Sequence, residues 1–334
     1  MISNQLRTTW ITWQRHRRTV ELADALGSHL LVVSGSGLYR LINTVRTLRE
    51  NRDTVIIVQN PSRVLAAVAS LCKVIWGFPL VIDRHTNFRI GKPLGFNPKT
   101  WFVVFCSELS IRLADLTIVT NEFLRAHVEE KKGKGFVLPD RVPSLSTLPS
   151  IYLQKNLDHR EKCVLFICTF ANDEPYKEVI QAAENLPDSV KVFITGSYRD
   201  ALDKNELARI PKNVTLTGFL PEVDYESLVT HADVVIDFTS LEWCLVCGGY
   251  EALAAGRPFV TSNTSALREF FEGSAVHCAH DPKRIAEAIL FAIENSQQLA
   301  KMSENLRQKK TNEWKELFGK LQEELQSLHN PKFS

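Results

Sequence analysis

The stretch 232-ADVVIDFTSLEWCLVCGGYEALAAGRPFVTSN-263 runs from an apolar, β-branched segment through a loop and two glycines into a short helical segment that ends in Gly-Arg-Pro, then into a second apolar segment. Strand, helix and strand in so few residues read as a β-α-β unit, whose strands are parallel because a crossover helix joins them. Gly248 and Gly249 stand before a helix expected over Tyr250 to Ala255, with Glu251 in its first turn. Two readings are open here. The glycine backbone and the helix N-terminus admit a phosphate while Glu251 accepts hydrogen bonds from a vicinal diol, or the glycines make a tight turn and Glu251 merely suits a helix start.

Outward from this unit the alternation continues. "CVLFICTF", "VKVFITGS" and "NVTLTGFL" precede it and "AVHCAH" follows, each read as a strand. Earlier in the chain, "TTWITW", "HLLVVSGSG", "TVIIVQN", "PLVIDRHT" and "DLTIVTN" read the same way, with helices about Arg18 to Leu26, over "RVLAAVASLCKVIWG" and over "EFLRAHVEE". Pro139, Pro143 and Pro149 punctuate the stretch between the two series and mark a linker. "LADLTIVTNEF" and "HADVVIDFTSL" echo each other across it, as two topologically similar lobes would. The expected division is a first lobe over 1–145, a linker over 146–162, a second lobe over 163–300 and a closing helix over 301–334.

The bulk numbers suit this plan. At 334 residues, 44% hydrophobic and 23% charged, the chain is a folded protein with room for two domains. Net charge is only +2, yet residues 1–73 carry ten Arg/Lys against four Asp/Glu. No apolar run approaches the roughly 18 residues that span a bilayer, and Met1 to Thr9 lacks the apolar core of a signal peptide, so the expected location is cytoplasmic. Seven cysteines without regular spacing read as reduced thiols.

"GGYEALAAGRPFVTS", "NVTLTGFLPEVDYESLVTHADVVIDFTS" and "AHDPKRIAEAI" together resemble the donor-binding half of GT-B-fold glycosyltransferases, above all the family-four type. "HRRTVELADALG" and "VIDRHTN" match the first half of that family more loosely. The resemblance implies an α/β fold of two Rossmann-like parallel-sheet lobes facing a cleft. It implies transfer of a sugar from a nucleotide-diphosphate sugar, a UDP- or GDP-sugar on the second lobe, to an acceptor on the first. Glu251 matches the ribose-binding glutamate, and a phosphate on the backbone of Gly248 and Gly249 would lie next to it. Gly218, Phe219 and Leu220 match the loop that touches the base, and His85 matches a histidine near the transferred sugar.

Departures from the pattern are as informative. The family's first glutamate lies eight residues before the second; here that position is Trp243, with Glu242 one step earlier as its candidate substitute. The family's Arg and Lys pair is replaced in "CTFANDEPYKEV", leaving Lys177 and, in "GSYRD", Arg199 as candidates for the phosphates. "QRHRR" stands where a glycine-rich loop often follows the first strand. Asp83 or His85 is positioned to take the acceptor proton if the enzyme inverts; if it retains, the leaving phosphate takes it. No Asp-x-Asp occurs, so a metal-free site with no cofactor is expected. An epimerase of the same fold, or a non-catalytic subunit that binds nucleotide sugar, are the competing readings.

Other patterns in the chain carry less. Gly35-x-Gly37 lacks a third small residue, since Arg40 stands there, and Gln59 and Asn60 replace an acidic ribose ligand, which speaks against a dinucleotide site. Cys244-x-x-Cys247 with His277 and His280 has zinc-ligand residue types but no supporting context. The segment from Arg84 to Ala114 is either a loop and a buried helix or a membrane-facing surface, with Arg84, Arg89, Lys92 and Lys99 near anionic headgroups and Trp101 at the interface. On that second reading the protein lies peripherally on the inner face of the cell membrane and admits a lipid-linked acceptor. The family resemblance implies a sugar or lipid-linked sugar acceptor, in assembly of a surface polysaccharide or glycolipid. No nucleic-acid-binding module is recognisable.

Overall fold

A computed structural model describes residues 6–59, 62–85, 90, 97–146 and 157–329. The chain forms two compact units: Met1–Asp140 with Glu313–Ser334, and Arg141–Asn312. The last helix, Ser296–His329, supplies residues to the second unit up to Asn312 and to the first from Glu313.

In the first unit six parallel strands, β1 (Thr8–Thr12), β2 (His29–Val32), β3 (Val55–Gln59), β4 (Leu80–Asp83), β5 (Leu116–Val119) and β6 (Gly135–Val137), lie in the order β2-β1-β3-β4-β5-β6. The inner strands β1, β3, β4 and β5 are buried along their whole length, and in β3 and β4 this shows as the apolar runs VIIV and LVI. One face of this sheet packs Trp10, Ile57, Val81 and Ile118 against Leu22 and against Trp314, Leu321 and Leu325 of the last helix. The other face packs Ile11, Ile56, Val58 and Ile82 against Leu48 of helix Gly37–Glu50 and Leu65, Ala66 and Ala69 of helix Arg63–Trp76.

The second unit repeats the plan with β7 (Lys162–Phe166), β8 (Val190–Thr195), β9 (Val214–Gly218), β10 (Val234–Asp237), β11 (Phe259–Ser262) and β12 (Ala275–Cys278), all parallel, in the order β12-β11-β10-β7-β8-β9. Phe166, Val192, Ile236 and Val260 point to one helical layer; Leu165, Phe193, Val235 and Phe259 point to the other. In each sheet the strand order reverses once, between β1 and β3 and between β7 and β10. Open parallel sheets bind ligands outside the carboxyl ends of their strands at such a reversal, and this locates a candidate site in each unit.

Three expectations from the sequence change. Helix Cys247–Ala255 takes in both glycines, so Glu251 sits beyond its first turn. Helix Pro98–Leu113 is not a buried helix: Trp101, Phe102 and Phe105 are exposed on it. Arg84, expected at a headgroup-facing surface, is instead buried, with its guanidinium donating to Ser107 O at 3.3 Å and to Ser107 Oγ. Burial, with Arg63 nearby, pushes that guanidinium down to about 9. Arg89 and Lys92 lie outside the described residues. Among the described residues no helix is long and apolar enough to cross a membrane.

Candidate functional site

At the reversal in the second unit, the loops that follow β7 and β10 are stitched together. Thr239 Oγ1 donates to Asp173 Oδ2 at 2.7 Å, and Ser240 N donates to Asp173 O at 2.7 Å. Glu174 shapes the β7 loop from within, accepting from Thr169 N, Thr169 Oγ1 and Ala171 N, all at 2.9 Å. These contacts hold Phe170 at a positive φ of 60°. Neither carboxylate was singled out from the sequence; an Asn-Asp-Glu run directly after a strand was the available signal.

The β10 side of the same corner explains the glycine pair. Gly248 N donates to Asp237 Oδ2 at 2.8 Å and Gly249 N to Val246 O at 3.2 Å, so both amides have partners within the chain. A Cβ on Gly248 would lie 2.7 Å from Asp237 Oδ2, and one on Gly249 would strike the rings of Phe271 and Phe259. Close packing of helix on strand therefore requires both glycines, and the expectation of amides held open for a phosphate gives way to it. Burial, joined by the nearby carboxylates of Glu174, Glu251 and Asp173, raises the Asp237 carboxyl well above the usual range, against the opposing pull of the Gly248 amide.

Glu251 faces this corner from the helix. Its Oε2 accepts from the Tyr225 hydroxyl, on helix Glu222–His231, and burial together with that carboxylate pushes the Tyr225 phenol up. A carboxylate accepts from more than one hydroxyl. The concentration of carboxylates suits a diol and disfavours phosphate oxygens at the same spot.

The remaining second-unit candidates lie around this centre. Gly218 (φ 70°) ends β9, and its carbonyl accepts from Gly196 N at 3.1 Å, so the loops after β8 and β9 touch. Phe219 stands 83% exposed beside it, Leu220 is half-buried, and Arg199 is exposed on the β8 loop. Lys177 is paired with Glu206 at 2.6 Å on the surface. Glu242 Oε2 accepts from Ser265 N at 2.9 Å at the start of helix Ser265–Phe271, so the carboxylate offered in place of the family's first glutamate caps a helix. The sequence showed neither of these partners, because each lies more than 20 residues away.

In the first unit, Asp83 ends β4 and is fully buried against Arg18, whose Nε lies 3.0 Å from Oδ1 and 3.3 Å from Oδ2. Arg18 also donates to Leu138 O at 2.9 Å and to Asp140. Burial alone would raise the Asp83 carboxyl; Arg18 and His85 overcome it and hold it below the usual range. Asp83 is thus sealed from any acceptor, which corrects its candidacy as the base. His85 reaches outward from the same strand end, with Nδ1 3.4 Å from Asp83 Oδ2, so its Nε2 is the nitrogen turned away from the pair. His16, from the loop after β1, meets it edge-on at 6.4 Å. Burial, with His85 nearby, lowers the His16 imidazole. A cavity of about 220 Å³ opens at the β1/β3 reversal, lined by Thr12, Trp13, Gln14, His16, Arg40, Gln59 and Ser62.

The other patterns resolve locally. Gly35 and Gly37 lead into helix Gly37–Glu50, and Arg40 Nε folds back onto Gly35 O at 2.5 Å. Gln59 Oε1 accepts from Thr12 Oγ1 at 2.6 Å, while Asn60 lies outside the described residues. His280 Nε2 lies 2.8 Å from Ser262 Oγ and His277 Nδ1 3.2 Å from Ser262 O. Among the described residues no group of three or more His, Cys, Asp or Glu is arranged to hold a metal ion.

Residues 151–309 match the family model for glycosyl transferases group 1. Spore coat protein SA of Bacillus subtilis is 29% identical over 167 residues, 43% of this chain and 44% of that protein. The chain thus spans less than half the length of the curated relatives it matches. Among solved structures, Anabaena Alr3699/HepE in complex with UDP has a TM-score of 0.74 at 15% identity, covering 96% of this chain and all of that one. Sucrose-phosphate synthase from Thermosynechococcus elongatus has a TM-score of 0.76 at 15% identity, covering 98% of this chain and all of that one. At such identities the likeness is one of fold, and it agrees with the two parallel six-stranded sheets. The chain has the GT-B fold, and the stretch that matches the glycosyl transferases group 1 model lies within its second unit.

Proposed function

We propose that the chain is a glycosyltransferase of the hexosyltransferase type that binds a UDP-sugar on its second unit and passes the sugar to an acceptor held by its first. The observation that carries this reading is Glu251, presented with its Tyr225 partner at the strand-order reversal of the unit matched by the family model. In this reading Glu251 takes the ribose hydroxyls and Phe219 lies against the base. Arg199 and Lys177 face the diphosphate, Lys177 after release from Glu206. The UDP carried by the HepE structure supports the choice of base.

Transfer breaks the bond between the sugar's anomeric carbon and the diphosphate oxygen and forms one to an acceptor hydroxyl oxygen, whose proton must leave. His85, oriented by Asp83, takes that proton in an inverting reaction; in a retaining one the departing diphosphate takes it. The cavity beside His16 and Arg40 is the proposed acceptor pocket, and the acceptor a sugar or lipid-linked sugar of a surface glycan. The negative charge of the leaving group is met by cations and helix ends without a metal.

The test is a thermal-shift and calorimetric comparison of wild type and Glu251→Ala with UDP, GDP, ADP and CMP, each with and without magnesium. Stabilisation by UDP alone, lost in the variant and indifferent to magnesium, is the expected result. Release of UDP from UDP-glucose or UDP-N-acetylglucosamine should fall about 10²–10⁴-fold in His85→Ala if the reaction inverts. Equal shifts of wild type and variant by UDP would remove Glu251 from the donor site.

A further inference from the structure

We propose that the outer face of three first-unit helices, Gly37–Glu50, Arg63–Trp76 and Pro98–Leu113, is a docking surface for an anionic lipid bilayer. The three pack side by side, the middle one touching both others. The first two bury Leu48, Leu65, Ala66, Ala69 and Cys72 against the sheet. A surface helix with one face so buried ordinarily carries polar residues on the other. Here the outer faces are apolar as well. Leu38 (73% exposed), Tyr39, Ile42 and Val45 recur on the first helix at helical spacing. Leu71, Val74 and Ile75 (72%) do so on the second, and Trp101, Phe102 and Phe105 (63%) on the third.

Isolated exposed apolar side chains are ordinary; ten on three adjacent helices form a patch of the kind that marks an interaction surface. Charge selects the occupant. The exposed charges of these helices are mainly cationic, Arg46, Arg49, Lys99 and Arg112 against Glu50. Basic residues around an apolar, aromatic-bearing surface complement anionic headgroups above an acyl interior. A second copy is disfavoured by the same charges, because a two-fold interface would place the cationic patch against itself. A plate three helices wide also suits a plane better than a single partner helix. Lys99 and Trp101 were expected at such a surface from the sequence; the other two helices were not.

The experiment is flotation of the full chain with phosphatidylcholine vesicles, with and without phosphatidylglycerol, in the absence of nucleotide. Its outcome is therefore independent of whether the donor reading holds. Wild type should float with the anionic vesicles, less so at high salt. Phe102→Ser/Phe105→Ser/Ile75→Ser and, separately, Arg46→Glu/Arg49→Glu should each lower the bound fraction roughly tenfold or more, with unchanged circular dichroism. Wild type that stays in the soluble fraction would overturn the proposal, as would equal flotation of both variants. A concentration-dependent dimer in light scattering, abolished by the serine variant and unaccompanied by vesicle binding, would give this face to a second copy instead.

Discussion

Replacing Arg18 by methionine keeps the volume and removes the charge that makes Asp83 tolerable. Asp83 is fully buried and Arg18 is 6% exposed, so water does not take over the contacts at 3.0 and 3.3 Å. The partner left is His85 Nδ1 at 3.4 Å. Breaking a buried pair from one side costs about 3–5 kcal/mol. For a unit of this size that corresponds to a fall of roughly 6–20 °C in the unfolding temperature. Tryptophan fluorescence follows this unit selectively, because five of the six tryptophans (10, 13, 76, 101 and 314) belong to it.

The pH dependence supplies a second, independent arm. In wild type Asp83 is held below its unfolded value, so its contribution is present above about pH 4 and is lost as pH falls through the folded value. Without Arg18, burial raises the folded value above the unfolded one. The variant then carries a penalty at neutral pH that lifts as pH falls toward about 4. The stability gap between wild type and variant should therefore narrow on acidification. A loss under about 1 kcal/mol at pH 7, or a gap that stays constant between neutral and mildly acidic pH, would refute the argument that Arg18 exists to bury Asp83.

Other outcomes follow from single contacts. Asp237→Asn keeps an acceptor for Gly248 N while removing a carboxyl that burial holds high. Wild type should lose stability relative to this variant as pH rises from about 4, a trend that urea titrations at pH 5 and 8 will expose. Gly249→Ala should cost about 1–3 kcal/mol, since the added methyl meets the buried Phe259 and Phe271 rings; a neutral effect in chemical denaturation would contradict the packing role. Phe219→Ala should leave stability within about 0.5 kcal/mol yet weaken UDP binding roughly 2–12-fold by calorimetry, whereas unchanged affinity would detach Phe219 from the base.

Much of the fold was legible because parallel strands buried on both faces read as short apolar runs. The segments at 55–59, 80–83, 162–166 and 234–237 are clear examples. The three-residue edge strand Gly135–Val137 carries too little pattern to be seen. Helix Gly37–Glu50 was obscured by the glycines at its start. The site was legible only in part. Glu251 and His85 stand out in the sequence as polar residues beside apolar strands, but their partners Tyr225 and Asp83 become meaningful only in three dimensions. Asp83 looked available until Arg18, 65 residues away, was found covering it.

The order of most strands and helices, the two-fold repetition of the plan and the family resemblance of the second unit are local properties, carried by hydrophobic periodicity and by contiguous motifs. What only the tertiary structure decided concerns neighbours distant in sequence. The two glycines serve packing because Phe259 and Phe271 lie across from them. Glu242 caps a helix that begins 23 residues later. On three adjacent helices apolar side chains face outward, including the one over Pro98–Leu113 whose sequence also allows a buried helix. Periodicity records that a face is apolar, and only the packing of the whole chain determines what that face meets.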